Sequence, residues 1–243
     1  MSDRRAVIDE LVTDYKQYCS SFTFNFRNKC QDNDIHKEGF VNCYWNQSSK
    51  LVYMHVDKCG STSVSTALRS SNIKFYPLEK ITRKHEPNDL AKLLVEKDHA
   101  FFAITRDPVS RWISGLNEFV CRFRPDLDWV VDQVKNRKFI FDEHTGPQEC
   151  FLRLCTDNNA NLTLIKLDNK LTAKVNFFIK SNLSEEDTSN YKPFLIPHLR
   201  DSKSFNPNFK PLCAKIYQDY VVPNKSEFDK LYEADYELYA KGF

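Results

Sequence analysis

The chain contains the stretch Leu51-Val-Tyr-Met-His-Val56, which runs directly into the turn Asp57-Lys-Cys-Gly-Ser-Thr-Ser63. The first six residues are rich in strand formers, and residues 63–70 are suited to the start of a helix. A strand, a tight turn and a helix N-terminus together favour an anion, because the first N–H groups of a helix have no intrahelical partner. Gly60 allows the backbone to approach a bound group closely. The stretch therefore predicts a phosphate-binding turn.

The side chains of this turn supply the charge and the donors that a phosphate needs. Lys58 is cationic, and Ser61, Thr62 and Ser63 carry hydroxyl groups. The turn differs from the nucleotide-binding motif G-x-x-x-x-G-K-[ST], because Lys58 comes two residues before its only glycine. Cys59 has two interpretations: its thiol is activated by Lys58 and the helix N-terminus, or it is a small residue that fills the turn. An ordinary strand–turn–helix connection without a ligand is the alternative for the whole stretch.

The composition describes a folded chain without a general affinity for polyanions. Of 243 residues, 41% are hydrophobic, and the formal net charge is only +2. The apolar fraction is sufficient for a substantial core, and a single domain over residues 1–243 is expected. The small net charge disfavours nucleic acid as a partner.

Membrane and export signals are not visible in the sequence. No stretch reaches the roughly 18–20 apolar residues of a membrane span, and residues 1–10 lack a signal-peptide pattern. We therefore expect a cytoplasmic location. The eight cysteines lack the paired C-x-x-C spacing of a zinc site, and we expect most of them to be free thiols.

Alternating strand and helix patterns predict an α/β fold. The expected strands are 51–56, 100–105 and 161–167, with a further short strand near 40–45. The expected helices are 4–18, 63–70, 88–97, 108–119, 127–137, 170–180, 211–221 and 225–240, and residues 181–209 are expected to form loops. This alternation favours a three-layer architecture, with a central parallel sheet, a P-loop-like phosphate-binding turn and helices on both faces. Ligands of such sheets bind at the carboxyl ends of the strands.

A second motif follows the strand 100–105 and reads Arg106-Asp-Pro-Val-Ser-Arg-Trp-Ile-Ser114. Asp107 is suited to cap the helix, and Pro108 is suited to its first turn. Arg106 stands at the strand end and Ser114 lies about two turns along the helix, so the two residues can hold one phosphate. The alternative is that Arg106 pairs with Asp107 or Glu118, and that Ser114 is a small packing residue.

Together these two motifs resemble those of the PAPS-dependent sulfotransferases, particularly the carbohydrate branch. The family has a turn of the form K-x-G-[ST]-[ST]-S, here Lys58-Cys-Gly-Ser-Thr-Ser63, and a motif R-D-P-x-x-R-x-x-S, here Arg106 to Ser114. The segment His144-Thr-Gly-Pro-Gln148 is similar to an H-x-x-P-Q element of some carbohydrate sulfotransferases. Asp57 departs from the family pattern, which often has proline before the motif lysine.

The resemblance implies a donor site for 3′-phosphoadenosine 5′-phosphosulfate (PAPS), and no metal ion. Lys58 would contact the 5′-phosphate and the bridging oxygen, where charge develops as the sulfonate leaves. The amides of residues 60–63 would hold the 5′-phosphate, and the second motif would hold the 3′-phosphate. The expected donor-binding residues are Lys58, Cys59, Gly60, Ser61, Thr62, Ser63, Arg106 and Ser114.

The acceptor hydroxyl needs a base, and the loop between the motifs supplies candidates. His85 is the first choice, because histidine titrates near neutrality and some family members place a catalytic histidine in this loop. Glu86 is the second choice and His144 the third. A surface role is the alternative for His85, and His55 is expected to be a core or strand-end residue. The expected reaction transfers a sulfonate group from PAPS to a hydroxyl of a small molecule or a carbohydrate.

Two other functions remain open from the sequence. One is a module that binds PAP, the desulfonated product of PAPS, without catalysis; the retention of Lys58, Arg106 and Ser114 argues against it. The other is a nucleotide kinase. The position of Lys58 and the lack of a clear magnesium-binding acid argue against the kinase.

Overall fold

The structure is a computed structural model of the chain, and it describes residues 42–78, 98–197 and 209–243. The predicted helices 4–18 and 88–97 lie outside these ranges. The chain divides into two compact units. The described part of the first unit is 109–146 and 209–233, and that of the second is 42–78, 98–108, 147–197 and 234–243. The prediction of a single domain over 1–243 stays a prediction.

The second unit contains a five-stranded mixed sheet. Its strands are β1 (Asn42–Asn46), β2 (Leu51–His55), β3 (Tyr76–Leu78), β4 (Ala100–Thr105) and β5 (Leu162–Lys166), in the order β3-β1-β2-β4-β5. Strands β2, β4 and β5 are parallel, whereas β1 is antiparallel to both β2 and β3. The short turn 47–50 explains the antiparallel edge, because a parallel pair needs a crossover of a dozen or more residues. The α/β fold class is confirmed.

Aromatic side chains build the core on one face of this sheet. The ring of Tyr53 in β2 lies 6.1 Å from that of Tyr44 and 5.1 Å from that of Phe102. Phe102 in turn packs at 5.0 Å against Phe178 of the helix α5 (Leu171–Ser181). Burial of such rings is a major apolar contribution to folding.

The opposite face of the sheet is covered by the helix α4 (Glu149–Asp157). Cys43 of β1 points to the face opposite Tyr44, since successive strand residues alternate, and it lies near Cys155 of α4. Burial raises the pKa of both thiols to about 12. The sheet of the second unit therefore has a helix on each face.

The remaining elements follow the predicted order with a few differences. Helix α1 (Ser61–Ser70) buries Val64, Ala67 and Leu68, which form one helical stripe. The predicted loop 181–209 contains a short helix, α6 (Glu185–Asn190), whose start is capped by the Ser184 side chain accepting a hydrogen bond from the Asp187 N–H. The polar sequence of α6 has no apolar periodicity, so it gave no helix signal.

The six described cysteines are free thiols.

The first unit is helical and is built around aromatic residues. Its helices are α2 (Pro108–Phe123), α3 (Leu127–Lys135), α7 (Lys210–Ile216) and α8 (Lys225–Leu231). The first residue of α2, Pro108, belongs to the second unit. Trp112 is fully buried, and its ring lies 6.0 Å from Tyr217 and 5.9 Å from Phe228. Its indole N–H donates to the carbonyl of Phe139 at 2.7 Å. Helix α7 continues into a π-helical turn, Tyr217–Val221, where a regular helix was expected.

The C-terminal pattern 225–240 is divided into α8 and a last helix, α9 (Glu233–Lys241). The chain then adds its final residue to the edge of the sheet. The N–H of Phe243 donates to the Leu164 carbonyl at 3.2 Å, and the N–H of Lys166 donates to the Phe243 carbonyl at 3.0 Å. The second unit thus holds α9 beside strand β5.

Replacing Gly115 by alanine tests the packing of the first unit. A Cβ atom at this position would lie 2.2 Å from the carbonyl oxygen of His144, a backbone atom that cannot swing away. Glycine-to-alanine substitution in an open helix stabilises by about 1 kcal/mol; here we expect Gly115→Ala to lower the free energy of unfolding by about 2–3 kcal/mol. Urea unfolding measures this change.

The control is Asp132→Ala on helix α3, where the side chain is 66% exposed. We expect this substitution to change the free energy of unfolding by no more than about 0.5 kcal/mol. A Gly115→Ala variant as stable as the wild type would contradict the described approach of residue 144 to helix α2.

Candidate active site

The turn between β2 and α1 has the backbone of an anion site. Lys58 and Gly60 both adopt left-handed conformations, with φ of 62° and 74°. Helix α1 begins at Ser61, and the first intrahelical bond runs from the Val64 N–H to the Gly60 carbonyl at 3.1 Å. The N–H groups of residues 61–63 therefore precede the helical hydrogen-bond ladder, at the positive end of the helix dipole.

The hydroxyl groups of this turn differ in their exposure. Ser61 is buried, Ser63 is half-buried, and Thr62 is exposed. Cys59 is fully buried. The burial of Cys59 supports the interpretation that it fills the turn, and helix α1 begins two residues before the predicted start at residue 63.

Two independent constraints make glycine the residue that fits position 60. A left-handed backbone costs an L-residue about 1–2 kcal/mol. In addition, a Cβ atom here would lie 3.1 Å from Cδ1 of Leu167. Lys58 adopts the same backbone region without being a glycine, so other contacts must hold it there.

Arg106 makes one of these contacts. It directly follows Thr105, the last residue of β4, at the same end of the parallel sheet as the β2–α1 turn. Its guanidinium Nη1 donates a hydrogen bond of 3.0 Å to the carbonyl oxygen of Lys58. The structure therefore joins the starts of the two sequence motifs within the second unit.

Gln148 fixes the backbone of Arg106 from both sides. Its Oε1 accepts a hydrogen bond from the Arg106 N–H at 3.2 Å, and its Nε2 donates to the Arg106 carbonyl at 2.9 Å. The thiol of Cys59 donates to the same Oε1 at 3.4 Å. Gln148 is fully buried, so these bonds replace the water that its amide would otherwise bind. The sequence places Gln148 in the H-x-x-P-Q element but does not indicate these contacts.

Asp235 in turn holds the chain at Gln148. Its two carboxylate oxygens accept hydrogen bonds of 2.8 Å from the N–H groups of Gln148 and Glu149, at the start of helix α4. Gln148 makes no capping bond of its own there, because its amide is bound to Arg106. A carboxylate at a helix N-terminus is favourable. No local signal marks Asp235, since it lies 87 residues from Gln148 in sequence.

The acidic residue before Lys58 has a partner on the preceding strand. Oδ1 of Asp57 lies 3.3 Å from Nε2 of His55. His55 is half-buried at the end of β2, as predicted for a core or strand-end residue. Asp57, which stands where the resembling motif often has proline, therefore contacts the strand that precedes the turn.

The second half of the second motif lies in the first unit. Arg111 is fully buried and donates to the backbone carbonyls of Gly146 and Glu143, the latter at 3.5 Å. It therefore holds the loop 142–146 against helix α2. Ser114 is buried on the same helix, with 5% of its surface exposed. Its role at the 3′-phosphate stays a prediction.

Of the three candidate bases, the structure describes only His144. Its Nδ1 lies 2.8 Å from Oδ2 of Asp142, and its N–H donates to Oδ1 of the same carboxylate at 3.0 Å. An aspartate at Nδ1 orients an imidazole and sets its tautomer. Glu143 completes a group of three side chains whose potential ligand atoms lie within 4.8 Å of one another. His85 and Glu86 lie outside the described residues.

Comparison with protein families identifies the class to which the chain belongs. A model described as "Sulfotransferase family" matches residues 41–241. The match covers most of the chain, including both motifs, Gln148 and Asp235. The chain belongs to the sulfotransferase family, which supports a transferase of sulfonate groups. Searches of curated proteins and of solved structures found no match.

No helix in the part of the chain that the structure describes combines the length and apolarity needed to cross a bilayer.

The substitution Gly60→Ala tests the geometry of the turn. Since the new side chain would meet both the left-handed backbone and Leu167, we expect the free energy of unfolding to fall by about 1–2 kcal/mol. Chemical denaturation followed by circular dichroism measures the change.

The matched control is Ser70→Ala, an exposed position at the end of the same helix. We expect it to alter the free energy of unfolding by less than about 0.5 kcal/mol. Equal stability of Gly60→Ala and the wild type would rule out the left-handed turn at residue 60.

Proposed function

We propose that the protein is a PAPS-dependent sulfotransferase that moves a sulfonate group to an acceptor hydroxyl and releases PAP. The observation that carries this proposal is the hydrogen bond between the Arg106 guanidinium and the Lys58 carbonyl. It brings the residues expected at the two phosphates of the donor to the same end of the sheet. In the reaction, the bond from sulfur to the bridging oxygen breaks, a bond from sulfur to the acceptor oxygen forms, and the hydroxyl proton passes to a base.

Lys58 is assigned to the 5′-phosphate and the bridging oxygen. Negative charge develops on that oxygen as the sulfonate leaves, and a fixed cation there stabilises the transition state. The amides and hydroxyls of residues 60–63, with Cys59 filling the turn, hold the 5′-phosphate. The left-handed backbone at Lys58 and Gly60 supports this assignment, because it opens helix α1 toward a ligand.

Arg106 and Ser114 are assigned to the 3′-phosphate, which distinguishes PAPS from ATP. A guanidinium is a planar fork of N–H donors that matches the oxygens of a phosphate, and that of Arg106 lies at the Lys58 carbonyl, at the end of the sheet where the donor is expected. For Ser114 the support is its place in the R-D-P-x-x-R-x-x-S motif.

The base is assigned in the order His85, Glu86 and His144. The sequence position between the two motifs supports the first two. The third has support in its carboxylate partner, since Asp142 orients the imidazole of His144. A positioned base contributes about 10²–10⁴ in rate.

The acceptor is proposed to be a small molecule or a carbohydrate, in line with the resemblance to the carbohydrate branch. No metal ion is assigned to the reaction, because the proposed charge stabilisation comes from Lys58, Arg106 and the helix N-terminus. We further propose a cytoplasmic location.

Calorimetric titration of PAP into the wild-type protein tests the proposed donor. We expect tight binding that is independent of magnesium, with much weaker binding of ATP and of adenosine 5′-phosphosulfate, because neither carries the 3′-phosphate. Equal binding of ATP, or magnesium-dependent binding of ATP alone, would contradict the proposal and favour a kinase. Binding of PAP without any release of PAP from PAPS across a panel of acceptors would favour a non-catalytic module.

The variant Lys58→Ala tests the assigned transition-state role. We expect turnover of PAPS to fall by about 10²–10³, the loss that follows removal of one preorganised donor. The affinity for PAPS should fall much less than turnover, since the bridging oxygen gains its charge only as the sulfonate leaves, whereas the affinity for PAP, whose 5′-phosphate carries that charge, should also fall. Release of PAP from PAPS, measured with an acceptor identified by the panel, checks this expectation.

Lys215→Ala is the control, because Lys215 is 45% exposed in the first unit and pairs with Asp219. This variant should turn over PAPS at the wild-type rate. A Lys58→Ala enzyme that also retained the wild-type rate would exclude Lys58 from catalysis.

A further inference from the structure

We propose that Gln148 and Asp235 are positioning residues for the turn formed by residues 57–63, and this inference rests on the proposed function of that turn. Neither residue belongs to the two phosphate motifs. Each is fully buried within the second unit. Together they form a hydrogen-bonded chain that starts on the C-terminal helix α9 and ends at the carbonyl of Lys58.

The part of these hydrogen bonds nearest to Lys58 runs through Arg106. Two bonds from one amide fix both the N–H and the carbonyl of Arg106, which leaves its peptide groups little freedom to rotate. A fixed backbone at Arg106 sets where its guanidinium meets the Lys58 carbonyl. The left-handed conformation of Lys58 is thus supported by a contact that depends on Gln148.

The same amide also reaches the turn directly. The Cys59 thiol donates to Oε1 of Gln148, so the oxygen that binds the Arg106 N–H also binds the residue after Lys58. Gln148 therefore supports the turn by two routes, directly at the Cys59 thiol and indirectly through the Arg106 guanidinium on the Lys58 carbonyl. Loss of the amide would remove the first contact and weaken the second.

Asp235 determines where Gln148 stands. Its carboxylate binds the two N–H groups at the start of helix α4 and so fixes the backbone from which the Gln148 side chain extends. The other end of helix α9 is also held, because Phe243 pairs with strand β5. The C-terminal helix is therefore part of the support of the proposed donor site.

Asn176 provides a matched control elsewhere in the second unit. Its Oδ1 accepts from the Phe194 N–H at 3.0 Å and its Nδ2 donates to the Phe194 carbonyl at 2.8 Å. This is the same two-point bond between an amide and a backbone, made on a segment that follows helix α6. The variants Gln148→Met and Asn176→Leu each remove such a bond with little change in side-chain volume.

Hydrogen exchange of the ligand-free full chain tests the proposal without reference to any substrate. We expect Gln148→Met to speed exchange about tenfold at the N–H groups of Cys59 and Val64, whose backbone hydrogen bonds lie at the turn, in line with the loss of buried hydrogen bonds. Asn176→Leu should leave that turn unchanged and speed exchange at residues 191–197. In parallel titrations, PAP affinity should fall about tenfold for Gln148→Met only.

The outcomes separate this inference from the proposed function. Unchanged exchange at Cys59 and Val64 in Gln148→Met would overturn the positioning role, as would an equal increase there in Asn176→Leu. If the wild type fails to bind PAP, the proposed donor is wrong, while the exchange result still decides the positioning role. Should Gln148→Met fail to fold, Asp235→Asn replaces it, and normal exchange of the turn in that variant would likewise overturn the proposal.

Discussion

The amide of Gln148, bound to both peptide groups of Arg106, is the constraint on which the candidate site depends. A buried amide has to satisfy its donors and its acceptor inside the protein. Here it does so on the backbone that follows strand β4, and on the thiol of the neighbouring turn. Because the buried amide must find its partners inside the protein, it links the residue after β4, Arg106, to the β2–α1 turn at Cys59.

This link explains how a short polar turn can be held in an unfavourable conformation. Lys58 has a left-handed backbone, which a non-glycine residue adopts only when its surroundings compensate. The Arg106 guanidinium on the Lys58 carbonyl is one such compensation. The same cation lies at the end of the sheet where helix α1 begins, so positive potential concentrates there.

The sequence predicted the parts of the fold that depend on local chemistry. Apolar runs such as 100–105 became strands, and Pro108 begins helix α2 as expected. The antiparallel edge was not predicted, because the pairing of β1 depends on the short turn 47–50 and on which neighbour it meets. Helix α6 was missed because its polar residues carry no periodic pattern.

The candidate site was predicted to a similar extent. Lys58, Gly60 and Arg106 belong to compact motifs whose chemistry is visible in a few neighbouring residues. Gln148 and Asp235 are separated by 87 positions, and their roles arise from tertiary contacts that a single sequence does not display. Asp57 departs from the pattern of the family motif, and its contact with His55 is likewise a feature of the folded chain.

A crystal structure of the protein with PAP would test the proposed donor site most directly. We expect the 5′-phosphate at the N–H groups of residues 60–63 with Lys58 beside it, and the 3′-phosphate on Arg106. The hydrogen bonds of Gln148 to the Arg106 backbone would be retained. PAP bound away from the β2–α1 turn, or with its 3′-phosphate remote from Arg106, would show that these assignments are wrong.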